Sequence, residues 1–390
     1  MRPLTTISAC ALLFLATLFS CSKKSTSAQG PTTTTYAWDK FVMGADLSFN
    51  NALDDHGAVL RDSGLPTDVY RIMRKHGCNL VRVRLWHTPS WQKDLFGGKY
   101  YSDLADVERT IRRAKDAGMA VNLDFHYSDD WADPQKQETP AAWQSLSLQG
   151  LRDSIYAYTL STLNELKGKG LTPEMVQVGN ETNNGMCWPL GKVTGGDFSA
   201  FASLLNSGIR AVRDFSAVSS MKPLIILHEA QLTDAEYWTR GIMAAGVTDF
   251  DILGLSHYYK WDTINDMGPV QQKISALKAI TGKKVMVVET AFSFTNDNAD
   301  SYPNIMTAPG PIAGFAVTRD GQYAYMKALT QAIISGGGSG LMYWEPAWIT
   351  SSLSDRWGTG SSWENNTLFD FTGNALPAID FMQQPYAFPK

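Results

Sequence analysis

Residues 175–181 read MVQVGNE, a short apolar run that breaks off into Gly179, Asn180 and Glu181. The run reads as a buried strand, yet it ends by presenting an amide and a carboxylate together. A surface turn would explain that, and so would half of an active site. Residues 285–291, VMVVETA, repeat the pattern with Glu289 after the apolar residues. Six more runs resemble these two: FVMGADLS (41–48), LVRVRLW (80–86), AVNLDFHY (120–127), LIILHE (224–229), ILGLSHY (252–258) and GLMYWEPA (340–347). Segments with apolar residues at i, i+3 and i+4 lie between them. The spacing predicts helices over 67–77, after Pro66 and ending at Gly77; over 103–118, capped by Asp103 and stopped by Gly118; and over 321–336. Near-continuous apolar strands alternating with helices indicate a parallel sheet covered on both faces. Eight such units in one span predict an α/β fold of the (β/α)8 TIM-barrel type. An open dinucleotide-binding sheet is disfavoured, since no GxGxxG or Walker pattern follows the first run.

Nearly every run is apolar at its start and polar at its end. The polar ends include Asp46 and Ser48, Arg82 and Arg84, Asp124 and His126, Asn180 and Glu181, His228 and Glu229, His257, Glu289, and Trp344 with Glu345. In a TIM barrel these ends form one face, where active sites sit. The fourth and seventh strands lie across the barrel from each other, so Glu181 and Glu289 are expected to face one another over its mouth. Two carboxyl groups roughly 5 Å apart are what retaining glycoside hydrolysis uses. One is held protonated as acid/base and the other stays ionised as nucleophile. An ion pair with a barrel arginine explains one such glutamate equally well; it does not explain the pair.

Composition bounds the rest. The chain has 390 residues, 44% hydrophobic and 18% charged, with a formal net charge of -4. No basic tract follows its start, which argues against a nucleic-acid partner. The 12 Trp residues are many for this length; flat rings with a polar edge suit sugar faces as well as cores. The first 30 residues combine Arg2, an apolar run too short to span a bilayer, and a Ser/Thr-rich stretch. Leu18-Phe19-Ser20-Cys21 resembles a bacterial lipobox. The expected organisation is a lipoprotein signal over 1–21 with Cys21 lipidated, a flexible tether over 22–35, and one catalytic domain over 36–390. An ordinary secretory signal is the alternative. Membrane contact is expected only through that lipid anchor, which places the protein at the bacterial cell envelope. Cys78 and Cys187 are expected on opposite faces of the barrel, unbridged and outside any zinc-type spacing. Nothing demands more than a monomer.

Several stretches carry a family resemblance: GADLS (44–48), GCNLVRVRLWHTP (77–89), NLDFHYSDDWADPQKQ (122–137), VQVGNETNNGM (176–186), LSHYYKW (255–261) and YWEPAWI (343–349). Together they resemble the arabinogalactan endo-β-1,4-galactanases, glycosyl hydrolase family 53, within the clan of retaining (β/α)8 glycoside hydrolases. The resemblance implies Glu181 as acid/base and Glu289 as nucleophile, acting on β-1,4-galactan of pectin without an organic cofactor. It implies that Asn180 hydrogen-bonds the 2-hydroxyl of the −1 sugar and that Trp344 forms the floor beneath it. Arg82 or Arg84 would keep Glu289 ionised; the clan's Asn-x-x-Arg spacing from Asn79 favours Arg82, while Arg84 lies nearer the mouth. His257 would bond the nucleophile or a sugar hydroxyl, or else serve as a wall histidine, with Tyr258 beside it. Asp124, His126, Asp129 and Trp131 would line the glycone side, with Asp46 beneath. After the seventh strand, Asn298, Asp300, Tyr302 and Asn304 alternate as oxygen donors suited to a structural calcium, Tyr302 through its carbonyl. Bacterial galactanases hold calcium at such a loop with more carboxylates; an ordinary Asn/Asp-rich turn is the other reading. A β-mannanase, a cellulase, or a glycan-binding lipoprotein without catalysis are the competing functions.

Overall fold

The computed structural model of the chain describes residues 34–389. The expected signal segment, Cys21 and most of the expected tether lie outside them. All eight apolar runs are strands: β1 (Val42–Asp46), β2 (Leu80–Leu85), β3 (Ala120–Phe125), β4 (Met175–Val178), β5 (Leu224–Ala230), β6 (Ile252–His257), β7 (Lys284–Thr290) and β8 (Gly340–Tyr343). They are parallel, each paired with its sequence neighbours, and β8 closes on β1 through Val42 opposite Gly340. Helices α1 (Asn50–Asp55) and α2 (Val69–Lys75) follow β1. Then α3 (Leu104–Asp116), α4 (Leu148–Gly168), α5 (Ser199–Ala217), α6 (Ala235–Ala244), α7 (Met267–Thr281) and α8 (Arg319–Ser335) each follow one strand. Capping sets their starts: Asp103 accepts from Asp106 N at 2.9 Å, and Asp68 accepts from Tyr70 N at 3.0 Å. A 3₁₀ segment, Pro377–Gln383, takes the place of a helix after β8. It runs so close to Gly77 that a Cβ there would sit 2.9 Å from Met382 O; Gly77 also has φ +98.

Alternation along each strand divides the core. Outward residues pack against the helices. Inward residues Val42, Leu80, Ala120, Met175, Ile226, Ile252, Met286, Val288 and Met342 form a separate apolar plug in the barrel interior. Above it the next inward positions are polar, among them Arg82, Asn122, Gln177 and His228, all buried. The plug keeps water from the base of that layer, so charges above it must be matched by one another.

Two strands depart from simple alternation. Strand β4 stops at Val178, three residues short of the run's end at Glu181; Gly179 (φ +86) and Glu181 (φ +45) form the turn beyond it. In β7, Leu255 lies opposite Val287, but the next residue of β6, Ser256, lies opposite Glu289. The pairing with β8 slips by the same residue, Leu341 opposite Val287 and Tyr343 opposite Thr290. One extra residue, a β-bulge, therefore sits at Val288. Val288 and Glu289 both face inward because of it.

Candidate active site

Arg82 is the hub of the polar layer. Its Nη1 lies 2.8 Å from both Asp46 Oδ2 and Glu289 Oε1. Nη2 donates to Asp124 Oδ2 at 2.8 Å and to Asn180 Oδ1 at 2.7 Å, and Nε to Gln177 Oε1 at 3.2 Å. Of the two arginines it is thus Arg82 that reaches Glu289. Arg84 is turned away, its guanidinium 4.1 Å from the centre of the Trp131 ring, with Phe49 and Trp86 also within cation–π range. Its charge is met by the buried Glu345, 3.7 Å away.

Glu181 projects from the turn after β4 toward Glu289, and the two carboxylates each have an oxygen within 4.8 Å of the other. Ser256 Oγ donates to Glu181 Oε1 at 2.6 Å. His228 braces the turn. Its Nδ1 accepts from Glu181 N at 3.2 Å and Gln177 Nε2 at 3.1 Å, which leaves Nε2–H to donate to Ser256 Oγ at 3.0 Å. Burial, together with the Arg82 charge, holds His228 well below its ordinary pKa, hence neutral as that pattern requires. Tyr258 OH donates to Glu289 Oε2 at 2.9 Å.

Burial raises both carboxyl pKa values, but unequally. Glu181 is pushed well above the ordinary range by burial and by the Glu289 charge, with Ser256 opposing. Glu289 rises only to about 6, because Arg82 and the Tyr258 hydroxyl offset much of the burial cost. Arg82 or Arg84 was expected to keep Glu289 ionised; Arg82 reaches it but is shared among five acceptors, and the net shift is upward. Near neutral pH the site therefore holds a protonated Glu181 facing an ionised Glu289, the division of labour that acid/base and nucleophilic roles require.

A cleft of about 790 Å³ opens above the pair. Asp46, Arg82, Arg84, His126, Trp131, Asn180, Tyr258 and Trp344 reach its wall. Asp124 is fully buried beneath, bonded to Arg82, Gln177 and His126, so it orients side chains and does not line the cleft. Two expected residues lie elsewhere. His257 points outward from β6, between Asp262 (3.2 Å) and Tyr325 (3.4 Å), because residues 252, 254 and 256 take the inward positions. Asp129 accepts from Thr88 N and Ala141 N, pinning loops outside the cleft. Residues that the sequence reading did not single out include Ser256, Trp348 and Trp363 at the cleft, the last packed edge-on to Trp344 at 4.7 Å, and the buried Gln177 beneath it, bonded to Arg82 and Asp124.

In the loop after β7, Asp300 accepts from Tyr302 N at 2.7 Å, Thr350 Oγ1 at 2.7 Å and Ser361 N at 2.8 Å. Asn304 Nδ2 meets Asn298 Oδ1, and Asn304 Oδ1 is buried without a partner. The buried Glu364 adds a second carboxylate next to Asp300; burial and that neighbouring charge raise its pKa against bonds from Thr350 and Ala299 N. Neither carboxylate is paired with a basic side chain among the described residues. Clustered oxygen donors with unmatched negative charge fit a hard cation.

Residues 42–382 match the model of glycosyl hydrolase family 53. An arabinogalactan endo-beta-1,4-galactanase of Cellvibrio japonicus is 41% identical over 351 residues, covering 89% of this chain and 91% of the relative. An endo-beta-1,4-galactanase of Bacillus subtilis is 32% identical, with 88% of this chain and 85% of the relative covered. Among solved structures, the Ignisphaera aggregans GH53 catalytic domain superimposes with a TM-score of 0.81 at 31% identity, over 92% of this chain and 100% of the other.

Proposed function

The chain belongs to glycosyl hydrolase family 53, and from that membership we propose that it is an endo-acting, retaining β-1,4-galactanase. The observation that carries this reading is the facing pair Glu181 and Glu289, at the close separation of a double-displacement enzyme. Glu289 attacks the anomeric carbon of the −1 galactose while Glu181 delivers its proton to the departing glycosidic oxygen. The negative charge that Glu181 acquires is met by the Ser256 hydroxyl. Water, deprotonated by Glu181, then displaces the sugar from Glu289 with a second inversion. Asn180 Nδ2, now bonded to Ala132 O, lies beside Glu181 where the 2-hydroxyl would sit. Trp344 supplies the apolar face under the −1 ring. The same cleft is lined by Ser256, Gln231 and Trp261 and by Trp131 and Lys136, side chains available to sugars beyond the −1 site.

The same reading takes pectic (arabino)galactan as partner and no nucleic acid, in a monomer anchored to the bacterial envelope through Cys21. Support for the anchor is the LFSC stretch followed by Ser/Thr-rich sequence. A structural calcium ion at Asn298, Asp300, Asn304 and the Tyr302 carbonyl is supported by the partnerless Asn304 Oδ1 and by the Asp300 and Glu364 carboxylates, neither paired with a basic side chain among the described residues. The deciding experiment follows the products of β-1,4-galactan by chromatography. Wild type should release a shortening ladder of galacto-oligosaccharides with retained anomeric configuration, and Glu289→Ala should slow it by at least about 10⁴-fold. Release from mannan or glucan instead, or undiminished activity of the variant, would refute the assignment.

A further inference from the structure

The backbone is strained at Glu181, and some of the groups that hold it there take no part in the catalytic chemistry. Glu181 has φ +45, a left-handed conformation that a residue with a side chain keeps only when its surroundings enforce it. On the near side, Glu181 N is held by His228 Nδ1. On the far side the hold comes from Thr182 and Asn183. Thr182 N and Oγ1 both donate to His228 O at 3.0 Å, and Trp238 Nε1 of α6 donates to Thr182 O at 2.9 Å.

Asn183 completes a strand that β4 leaves unfinished. The two strands β4 and β5 pair through residues 175–177 and 224–226, and β4 then turns away. Further along β5, His228 O and Ala230 N flank Glu229 and are the groups that a parallel partner would satisfy. They are taken instead by Thr182 N and by Asn183 Oδ1, the latter 2.8 Å from Ala230 N. Asn183 Nδ2 donates to Ala230 O and to Glu229 Oε1, both at 2.8 Å. A backbone N–H only donates, so Ala230 N fixes where the amide oxygen points, and the nitrogen must face Glu229. Glu229 is fully buried; burial, with the Asp234, Glu181 and Asp262 charges, holds its pKa well above the ordinary range against Lys273. It is therefore uncharged near neutral pH and accepts from Asn183 without setting a second negative charge behind Glu181. Asn183 itself does not reach the cleft, whose wall here is Glu181, Ala230 and Gln231.

We propose that Asn183 is a positioning residue for the acid/base: its side-chain amide stands in for the missing end of β4 and locks the strained Glu181 turn to β5, with Glu229 as the buried partner of that amide. This rests on the galactanase reading and on Glu181 as the acid. Without the clamp the turn relaxes, and the Glu181 carboxyl leaves the glycosidic oxygen while Glu289, on β7, stays in place.

The test separates proton delivery from nucleophilic attack by changing the leaving group of aryl β-1,4-galacto-oligosaccharides. A dinitrophenyl group departs without a proton, whereas an unsubstituted phenyl group needs one. For Asn183→Ala and Asn183→Asp, kcat/KM on the phenyl substrate should fall about 10²-fold, the loss that a misplacement of about 1 Å brings. On the dinitrophenyl substrate it should stay within about threefold of wild type, since attack by Glu289 is untouched. Asn183→Asp keeps the acceptor for Ala230 N and loses only the donors, which covers the case in which the alanine variant does not fold. Glu181→Ala is the reference and should show the same split more strongly. Equal losses on both substrates would make Asn183 a support of the fold alone, and no loss on the phenyl substrate would mean that the turn holds Glu181 without it; either overturns the proposal. If wild type leaves β-1,4-galactan and both aryl substrates intact, the galactanase reading itself fails. If Glu181→Ala shows no split, Glu181 is not the acid. The proposal falls with either, and each of these failures is seen in a protein that keeps Asn183.

Discussion

Ser256 is the hydroxyl that touches the proposed acid/base, and its effect on Glu181 has a definite sign. By donating to Oε1 it favours the charged carboxylate, opposing burial and the Glu289 charge, which together raise the pKa. Ser256→Ala should therefore raise the Glu181 pKa. In a pH profile of kcat/KM, the acid limb reports protonation of Glu289, near its value of about 6. The alkaline limb reports loss of the Glu181 proton, the two being properties of the coupled pair. The variant should move the alkaline limb upward and leave the acid limb nearly in place. A downward shift would contradict the donor role. Ser256 was illegible in the sequence for a plain reason: beside it stands His257, the chemically louder residue, and only the inward register of β6 shows that the serine faces the site. Glu181 and Glu289 were legible because a carboxylate ending an apolar run has few reasons to be there.

At the scale of elements, the two strands that carry the pair both break regularity to do so. Strict alternation in β7 would send Met286, Val288 and Thr290 inward and Glu289 into the helix layer; the bulge at Val288 re-aims it. No residue type in VMVVE announces a bulge, so the run showed which residue mattered without showing how it reaches the mouth. After β4 the device is a turn with Gly179 at φ +86 and Glu181 at φ +45. A Cβ on Gly179 would lie 2.7 Å from Thr182 Cγ2. Gly179→Ala should cost about 1–3 kcal/mol, lowering the melting temperature. It should also reduce kcat more than it raises KM, because Glu181 moves while the aromatic walls stay. Unchanged kcat would mean that the turn does not set the position of Glu181. A second element contact titrates. His76, at the end of α2, lies 2.6 Å from Asp380 of the closing 3₁₀ segment and 3.4 Å from Asp62. Burial lowers its pKa, but the two carboxylates outweigh this and the net shift is upward. A raised histidine pKa stabilises the fold fully below the unfolded value of about 6.5 and is lost as pH rises through the folded one. Between pH 6 and 8, wild type should lose more stability, read as melting temperature, than His76→Gln. Parallel melting curves for the two proteins would remove this contact from the account.

For the molecule as a whole, eight apolar runs spaced by amphipathic segments were enough to read a closed parallel barrel, since burial on both faces leaves little room for polar residues except at strand ends. What could not be read was how the long loops above the barrel hold together, because their contacts join residues far apart in the chain and follow no period. The loop of Asn298–Asn304 meets the segment after β8 through Asp300, which accepts from Thr350 and from Ser361 N and lies beside Glu364. Two carboxylates this close, with no basic partner among the described residues, repel each other unless a cation lies between them. The proposed calcium would therefore clamp two loops whose residues Tyr302 and Trp357 wall the cleft. A ligand bound only by the folded state at 100 times its Kd contributes about 2.7 kcal/mol, or roughly 4 °C in melting temperature for a domain of this size. Chelation of protein prepared with calcium should lower the melting temperature by about that amount, and restored calcium should reverse it. Asp300→Asn removes one carboxylate and relieves the repulsion without calcium, so its melting temperature should respond weakly to chelator. Galactan cleavage should fall with chelation in the wild type, through a cleft wall that loosens, while Glu181 and Glu289 keep their pH limbs. If metal analysis finds no calcium and chelation leaves wild type unchanged, the two loops are held by hydrogen bonds alone, and the raised pKa of Glu364 means that a proton does the work assigned to the ion.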